Sequence, residues 1–225
     1  MIKLYKGDCF DTKIDLPGNA VIITDPPFNM GYHYNGYKDK MPEPEYYRRL
    51  SELFCDKPLV CVMFPEMLHK LSVSMGRCPE RVVSWVYNSN TAKQHRDIAF
   101  YGIAPDFRKV RQPYKNPNDK RIAERIAKGI VGGRLYDWWN VNQVKNVSKS
   151  GNTHPCVMPV EVMENIIGIL PDDITVFDPF MGSGTTGVAA LNKERDFIGV
   201  ELIDEYYNIA EKRIKAAEGI YDEQL

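Results

Sequence analysis

The sequence predicts an α/β protein: a mostly parallel sheet with helices on both faces. Three observations predict it. Short apolar runs without inside-outside alternation recur along the chain, segments of helical period lie between them, and the 225 residues suffice for one substantial domain carrying an insertion. The runs are Ala20 to Thr24, Leu59 to Phe64, Arg81 to Tyr87, Ile174 to Asp178 and Phe197 to Glu201, each short enough for a strand buried on both faces. Glu43 to Cys55, Pro65 to Met75, Val160 to Leu170, Thr185 to Asn192 and Asp204 to Ala217 read as the helices between them. Strand and helix in alternation give crossover units, and crossovers give parallel strands.

Composition narrows the class of protein. A hydrophobic share of 44% and a charged share of 26% are those of an ordinary globular chain, not of a disordered or fibrous one. The opening residues Met1 to Asp8 contain no apolar leader segment, and the apolar runs are too short to cross a bilayer, so the sequence reads as cytoplasmic and without a membrane partner. Five cysteines, an odd number without a C-x-x-C pair, read as buried free thiols. His33, His69 and His95 have no ligand-like spacing, so no metal is expected.

Charge is segregated behind a net value of −1. From Arg77 to His154 there are fifteen Lys and Arg against six Asp and Glu, a local charge of +9, and the remainder carries −10. Such asymmetry points to a basic surface on one module. Within it, residues 105–150 are broken by Pro105, Pro113, Pro117, Gly129, Gly132 and Gly133, the pattern of a loop-rich insertion with one short helix around Asp119 to Lys128. Trp138 and Trp139 read as the core of that insertion.

Two strand ends carry the chemistry. Ile174 to Asp178 runs into Pro179-Phe180-Met181-Gly182-Ser183-Gly184-Thr185-Thr186 and then a helix, and the next strand ends in Glu201. This is a Rossmann-like nucleoside site: glycines let backbone and ligand approach, and the acid accepts from ribose hydroxyls. No basic residue lies between Phe180 and Asn192, which argues against a phosphate cradle. Ala20 to Thr24 ends in Asp25-Pro26-Pro27-Phe28. Consecutive prolines fix two φ angles and remove two donors, so Asp25 and the Pro26 carbonyl form a stiff pair of acceptors beside the Phe28 ring, suited to a planar donor such as a nucleobase amine. If the two strands are parallel neighbours, loop and corner share one crevice. The aromatic segment Met30 to Lys38 that follows reads as a mobile, irregular loop over the site.

Thr24-Asp25-Pro26-Pro27-Phe28 and Asp178-Pro179-Phe180-Met181-Gly182-Ser183-Gly184-Thr185-Thr186, in that order, resemble the catalytic and cofactor motifs of the amino-group DNA methyltransferases that use S-adenosylmethionine. Asn152-Thr153-His154-Pro155-Cys156-Val157-Met158-Pro159 resembles their His-Pro-x-x-Lys-Pro element, with Met158 where Lys is usual, and Leu4-Tyr5-Lys6-Gly7-Asp8-Cys9 resembles their opening strand. The resemblance covers roughly residues 1 to 100 and 150 to 217, and the basic insertion matches in position only.

The resemblance implies a Rossmann-like methyltransferase fold, a mostly parallel seven-stranded sheet with one reversed edge strand. It implies a single domain over residues 1–225, with a catalytic half at 1–100, a target-recognition insertion at 105–150 and a cofactor half at 151–225. It assigns catalysis to Asp25, Pro26, Pro27 and Phe28. It assigns cofactor binding to Asp8, Asp25, His154, Asp178, Phe180, Gly182, Ser183, Gly184, Thr185 and Glu201. The implied reaction moves a methyl group from S-adenosylmethionine to the exocyclic amine of a base flipped from duplex DNA in a prokaryotic or phage setting. Adenine N6 is favoured because Asp before Pro-Pro is the commoner choice for adenine. Cytosine N4 is the nearest alternative, followed by an RNA or protein-amide substrate and by an inactive nucleic-acid-binding module. The resemblance leaves open a homodimer and a cognate restriction endonuclease as partners.

Overall fold

The structure, a computed structural model, describes residues 1–34, 37–54, 57–144 and 157–222. In chain order the elements are β1 (Ile2–Lys6), β2 (Ala20–Thr24), β3 (His33–Tyr34), β4 (Tyr37–Lys38), α1 (Glu43–Phe54), β5 (Leu59–Met63), α2 (Pro65–Met75), β6 (Arg81–Val86) and β7 (His95–Tyr101). They continue with β8 (Arg111–Gln112), α3 (Lys120–Ala127), β9 (Gly133–Arg134), β10 (Trp138–Asn140), α4 (Val160–Gly168), β11 (Thr175–Asp178), α5 (Thr185–Asn192), β12 (Asp196–Glu201) and α6 (Asp204–Asp222).

Among the described residues, eight strands form the main sheet in the order β1-β12-β11-β2-β5-β7-β6-β10. Every residue of β2 and of β5 is buried, as expected of strands covered on both faces. Side chains alternate between two cores. Val21, Ile23, Val60 and Val62 pack toward Val162, Ile166 and Ile167 of α4 and Ala210 and Ile214 of α6. Ile22, Leu59, Cys61 and Met63 face Tyr46, Leu50 and Phe54 of α1 and Leu68 and Leu71 of α2 on the other side.

The sheet corrects the expected edge. Its one reversed strand, β7, is antiparallel to both β5 and β6 and lies between them, third from the margin. A hairpin folds β7 back from β6, and Tyr87 N donates to the Gln94 carbonyl at its mouth, 3.0 Å. The margin itself is β10, an eighth strand that the insertion lends to the sheet in parallel with β6. Sequence patterning misses β7 because its first half, His95-Arg96-Asp97, is polar. Being reversed, β7 brings this polar start to the end of the sheet where the parallel strands finish.

Two further expectations change. The described residues of the segment from Met30 to Lys38 include regular structure: β3 and β4 pair as an antiparallel ribbon, and its base is closed by Gly31 N to the Asp39 carbonyl, 2.6 Å, and Asp39 N to the Tyr32 carbonyl, 3.2 Å. Cys61 is buried as expected, but Cys78 is exposed. Cys55 and Cys156 lie outside the described residues. No helix among the described residues is long and apolar enough to cross a membrane.

Candidate active site

β2 and β11 are parallel neighbours, in register from Thr175 opposite Ala20 to Phe177 opposite Ile22. Their carboxyl ends therefore finish side by side. The Thr24 hydroxyl donates to Asp178 Oδ1 at 2.8 Å, a buried bond that ties the strand before the proline corner to the strand before the glycine loop. Both motifs line one cavity of about 420 Å³, together with Asp8 and Phe10 after β1 and Glu201 at the end of β12.

The proline corner is braced from three sides. Tyr46 of α1 donates its hydroxyl to the Pro27 carbonyl at 2.6 Å. Asn29 takes a left-handed conformation, φ 56°, and its side chain exchanges two hydrogen bonds with the Met41 backbone, 2.7 and 3.0 Å. The buried carboxylate of Asp39 accepts the amides of Asn29, 2.9 Å, and Met30, 3.3 Å. Backbone donors that a tight corner would strand are thereby satisfied. Phe28 is half-buried, its ring 5.1 Å from that of Phe64.

The glycine loop is organised around two carboxylates. Asp178 Oδ1 also accepts the Phe180 amide, 3.1 Å, and the Thr186 hydroxyl bonds the same carboxyl group. Glu201 accepts the Gly182 amide through Oε2, 2.9 Å, and the Ile203 amide through Oε1, 2.8 Å. Gly184, at φ 80°, has no room for a side chain: a Cβ there would stand 2.9 Å from Ala210 of α6. Arg213 of α6 reaches back to the Ser183 carbonyl, 2.5 Å, the Ser183 hydroxyl, 2.9 Å, and the Thr185 hydroxyl, 3.3 Å. Phe180 meets Phe10 edge-on, with centroids 5.9 Å apart. Asp8 uses one oxygen to accept the Phe10 amide, 3.0 Å.

Asp25 lies deep in the cavity wall. Burial raises its carboxyl to about pH 6, opposed by Arg96, whose Nη1 donates to Asp25 Oδ2 at 3.1 Å. Burial likewise raises Asp178 to about 6, against its three hydrogen bonds. The described lining holds five carboxyl groups, Asp8, Asp25, Asp39, Asp178 and Glu201, against three cations, Lys40, Arg49 and Arg96, an excess of acid. Such a lining suits a cationic ligand and repels phosphates.

Of the residues singled out in the sequence, Asp8, Asp25, Pro26, Pro27, Phe28, Asp178, Phe180, Gly182, Ser183, Thr185 and Glu201 all line this cavity. Gly184 stands just behind it, against α6. His154 lies outside the described residues. Sequence reasoning missed Arg96, Tyr46, Asp39 and Arg213. None belongs to a motif: Tyr46, Arg96 and Arg213 reach the site from α1, β7 and α6, and Asp39 from the residue after the β3-β4 ribbon.

The N6/N4 DNA methylase family model matches residues 80–212. The Type II methyltransferase M.ScaI of Streptomyces caespitosus is 32% identical over 96% of this chain and 82% of its own length. The chain belongs to the N6/N4 DNA methylase family. Two solved structures share the fold of this DNA methylase. The M1.HpyAVI-SAM complex has a TM-score of 0.58 and 23% identity, covering 95% of this chain and all of its own. PvuII DNA methyltransferase, described as cytosine-N4-specific, has a TM-score of 0.67 and 16% identity, covering 98% and 91%.

The basic insertion of the methylase stands on the margin of the sheet. On and beside α3, Arg121, Arg125 and Lys128 are exposed, as are Arg111 and Arg134 of the β8-β9 pair. Its tryptophans divide, which corrects the expectation that both are core. Trp139 is buried and donates Nε1-H to the Tyr136 carbonyl, 2.7 Å, whereas Trp138 is 47% exposed. The Lys115 ammonium lies over the rings of Tyr136, 4.9 Å, and Trp138, 5.3 Å.

Proposed function

We propose that this methylase transfers a methyl group from S-adenosylmethionine to the N6 amine of an adenine flipped out of duplex DNA. The observation that carries the reading is the Thr24–Asp178 bond, which sets acceptor corner and glycine loop at the mouth of one carboxylate-lined cavity. The fit to the cofactor rests on the chemistry of that lining and on the side-chain-free approach at Gly182, which lines the cavity at positive φ. Phe180, Gly182, Ser183, Gly184 and Thr185 would hold its amino-acid end, Glu201 its ribose hydroxyls and Asp8 its adenine side. Glu201 accepts the amides of Gly182, Ile203 and Leu202, and a carboxylate with about four acceptor sites keeps capacity for a ligand.

When bound, S-adenosylmethionine supplies an electrophilic methyl group on a sulfonium. The protein supplies the geometry. A ring-conjugated amine is a poor nucleophile because its lone pair is delocalised. Asp25 and the Pro26 carbonyl, accepting its two protons, favour a pyramidal nitrogen and free that lone pair. A carboxyl near pH 6 is ionised at neutral pH and able to take the proton released on transfer. Phe28 stacks on the extruded base and offsets the few kcal/mol of unstacking. The exposed cations of the insertion hold the duplex by its phosphates.

Asp25→Ala abolishes methyl transfer to unmethylated genomic DNA and leaves the calorimetric affinity for S-adenosylmethionine within a few fold of the unmodified protein. Unchanged turnover would overturn the reading. Cytosine N4 presents the same geometry and is the specificity named for the PvuII neighbour. Mass spectrometry of nucleosides from the treated DNA separates N6-methyladenine from N4-methylcytosine.

A further inference from the structure

Arg96 enters the site from β7, the one strand of the main sheet that runs backwards. Its guanidinium carbon lies 4.8 Å from the centre of the Phe28 ring, 5.5 Å from Trp85 and 5.6 Å from Phe64, and its Nη1 is 3.4 Å from Met158 Sδ. Three rings and a thioether make a cage that holds the cation without neutralising it. Its charged partner among the described residues is Asp25, and the two side chains are only 11% and 15% exposed.

An arginine paired with a carboxylate for stability alone commonly uses both oxygens in a fork. Here one bond forms. Asp25 Oδ1 and Arg96 Nε are buried and have no partner among the described residues. Asp25 lines the cavity but its Oδ1 is closed to solvent there, and an unpaired carboxylate oxygen so placed is costly unless a donor arrives with the substrate. Met158 stands where the related motif usually has Lys, and Arg96 brings a cation to that place from another strand.

We infer that Arg96 is the positioning residue of the catalytic carboxylate: it fixes Asp25 through Oδ2 and so reserves Oδ1 as acceptor for one proton of the target amine. The inference rests on the methyl-transfer reading above. It also gives the cation an electrostatic duty, because burial opposes the charge of Asp25 and its other neighbours do not offset it: Asp178 on β11 is a second carboxyl, and Cys61 of β5 and Tyr46 of α1, themselves held un-ionised, are neutral. The other charges beside the cage are committed elsewhere. Lys93 lies over Phe64 but pairs with Glu66 of α2, and Asp97 of β7 accepts from Ser84 of β6, 2.9 Å.

The test is the single-turnover rate of label transfer from S-adenosylmethionine to unmethylated bacterial genomic DNA, followed from pH 5 to 9. The unmodified protein loses rate below a midpoint near 6, where the neighbouring carboxyls Asp25 and Asp178 take up protons and only Asp25 bonds Arg96. Arg96→Met lowers the rate at pH 8.5, where Asp25 is ionised but no longer held, and moves the midpoint up by about one unit or more, so the rate at pH 6 falls by a further factor of about five or more. Arg96→Lys keeps the charge and holds the midpoint within about half a unit of the unmodified protein. A uniform loss in Arg96→Met with the midpoint unmoved would mean a merely structural role. A faster rate at every pH would mean that Arg96 obstructs the site, and an equal shift in Arg96→Lys would mean that charge is not what it provides. Any of the three overturns the inference. Affinity for S-adenosylmethionine checks that each variant is folded, and Arg96→Gln carries the same expectation if Arg96→Met does not fold. Absence of label in DNA from the unmodified protein at every pH would instead overturn the methyl-transfer reading, and this inference with it.

Discussion

Replacing Tyr46 by Phe removes a single oxygen, the one that donates to the Pro27 carbonyl at 2.6 Å. The ring stays in its core beside Tyr47, so the change isolates the brace between α1 and the proline corner. A neutral hydrogen bond of this kind contributes about 0.5 to 1.5 kcal/mol net, and a buried carbonyl left without a donor adds up to about 3 kcal/mol of penalty. Tyr46→Phe should therefore unfold in urea with a free energy lower by about 1 to 2 kcal/mol. The corner also sets the direction of Asp25 and of the Pro26 carbonyl. If about 1 kcal/mol of its rigidity is used in orienting the amine, the single-turnover rate falls roughly fivefold, with cofactor affinity unchanged. A rate equal to that of the unmodified protein, measured in a variant that has lost the expected stability, would refute the reasoning. The stiffness of the corner would then come from its prolines alone.

Gly184→Ala forces a side chain into φ 80° and sets a Cβ 2.9 Å from Ala210; strain and overlap together cost about 2 to 5 kcal/mol in urea unfolding, and a loss below 1 would contradict the packing described. Stability should also depend on pH in an uncommon direction. Asp25 and Asp178 are raised from 3.8 to about 6 in the fold, so their contribution is full below about pH 4 and is lost as pH rises through 6, on the order of 3 kcal/mol each as an upper bound. The urea midpoint is accordingly higher at pH 5 than at pH 7.5, and the reverse order would show that both carboxyls are held ionised by the fold. Trp139→Ala costs about 3 to 5 kcal/mol in the same assay, Trp138→Ala about 1, and equal losses would erase the distinction drawn between them.

Much of the frame was legible because burial leaves a local record. β2, β5 and β11 read as uninterrupted apolar runs, and α2 and α5 begin and end where helical period and Pro or Gly signals place them. β7 was not legible. Its second half packs in the core, but in its first half His95 is exposed, Arg96 lines the site and Asp97 bonds Ser84, and that polar start hides the strand. β10 was missed for a different reason: three residues of an irregular insertion become a strand only when β6 offers an edge.

By itself the sequence determined the chemical types at two strand ends: an acid before two prolines, and glycines before a helix. These are local properties, fixed by φ restriction, missing donors and missing Cβ atoms. Only the tertiary structure decided that the two ends share a cavity, that Thr24 joins them through Asp178, and that Tyr46, Asp39, Arg213 and Arg96 converge on them. Such contacts join residues tens to more than a hundred positions apart, and a hydrogen bond depends on distance in space, which a residue's own neighbours in sequence do not record.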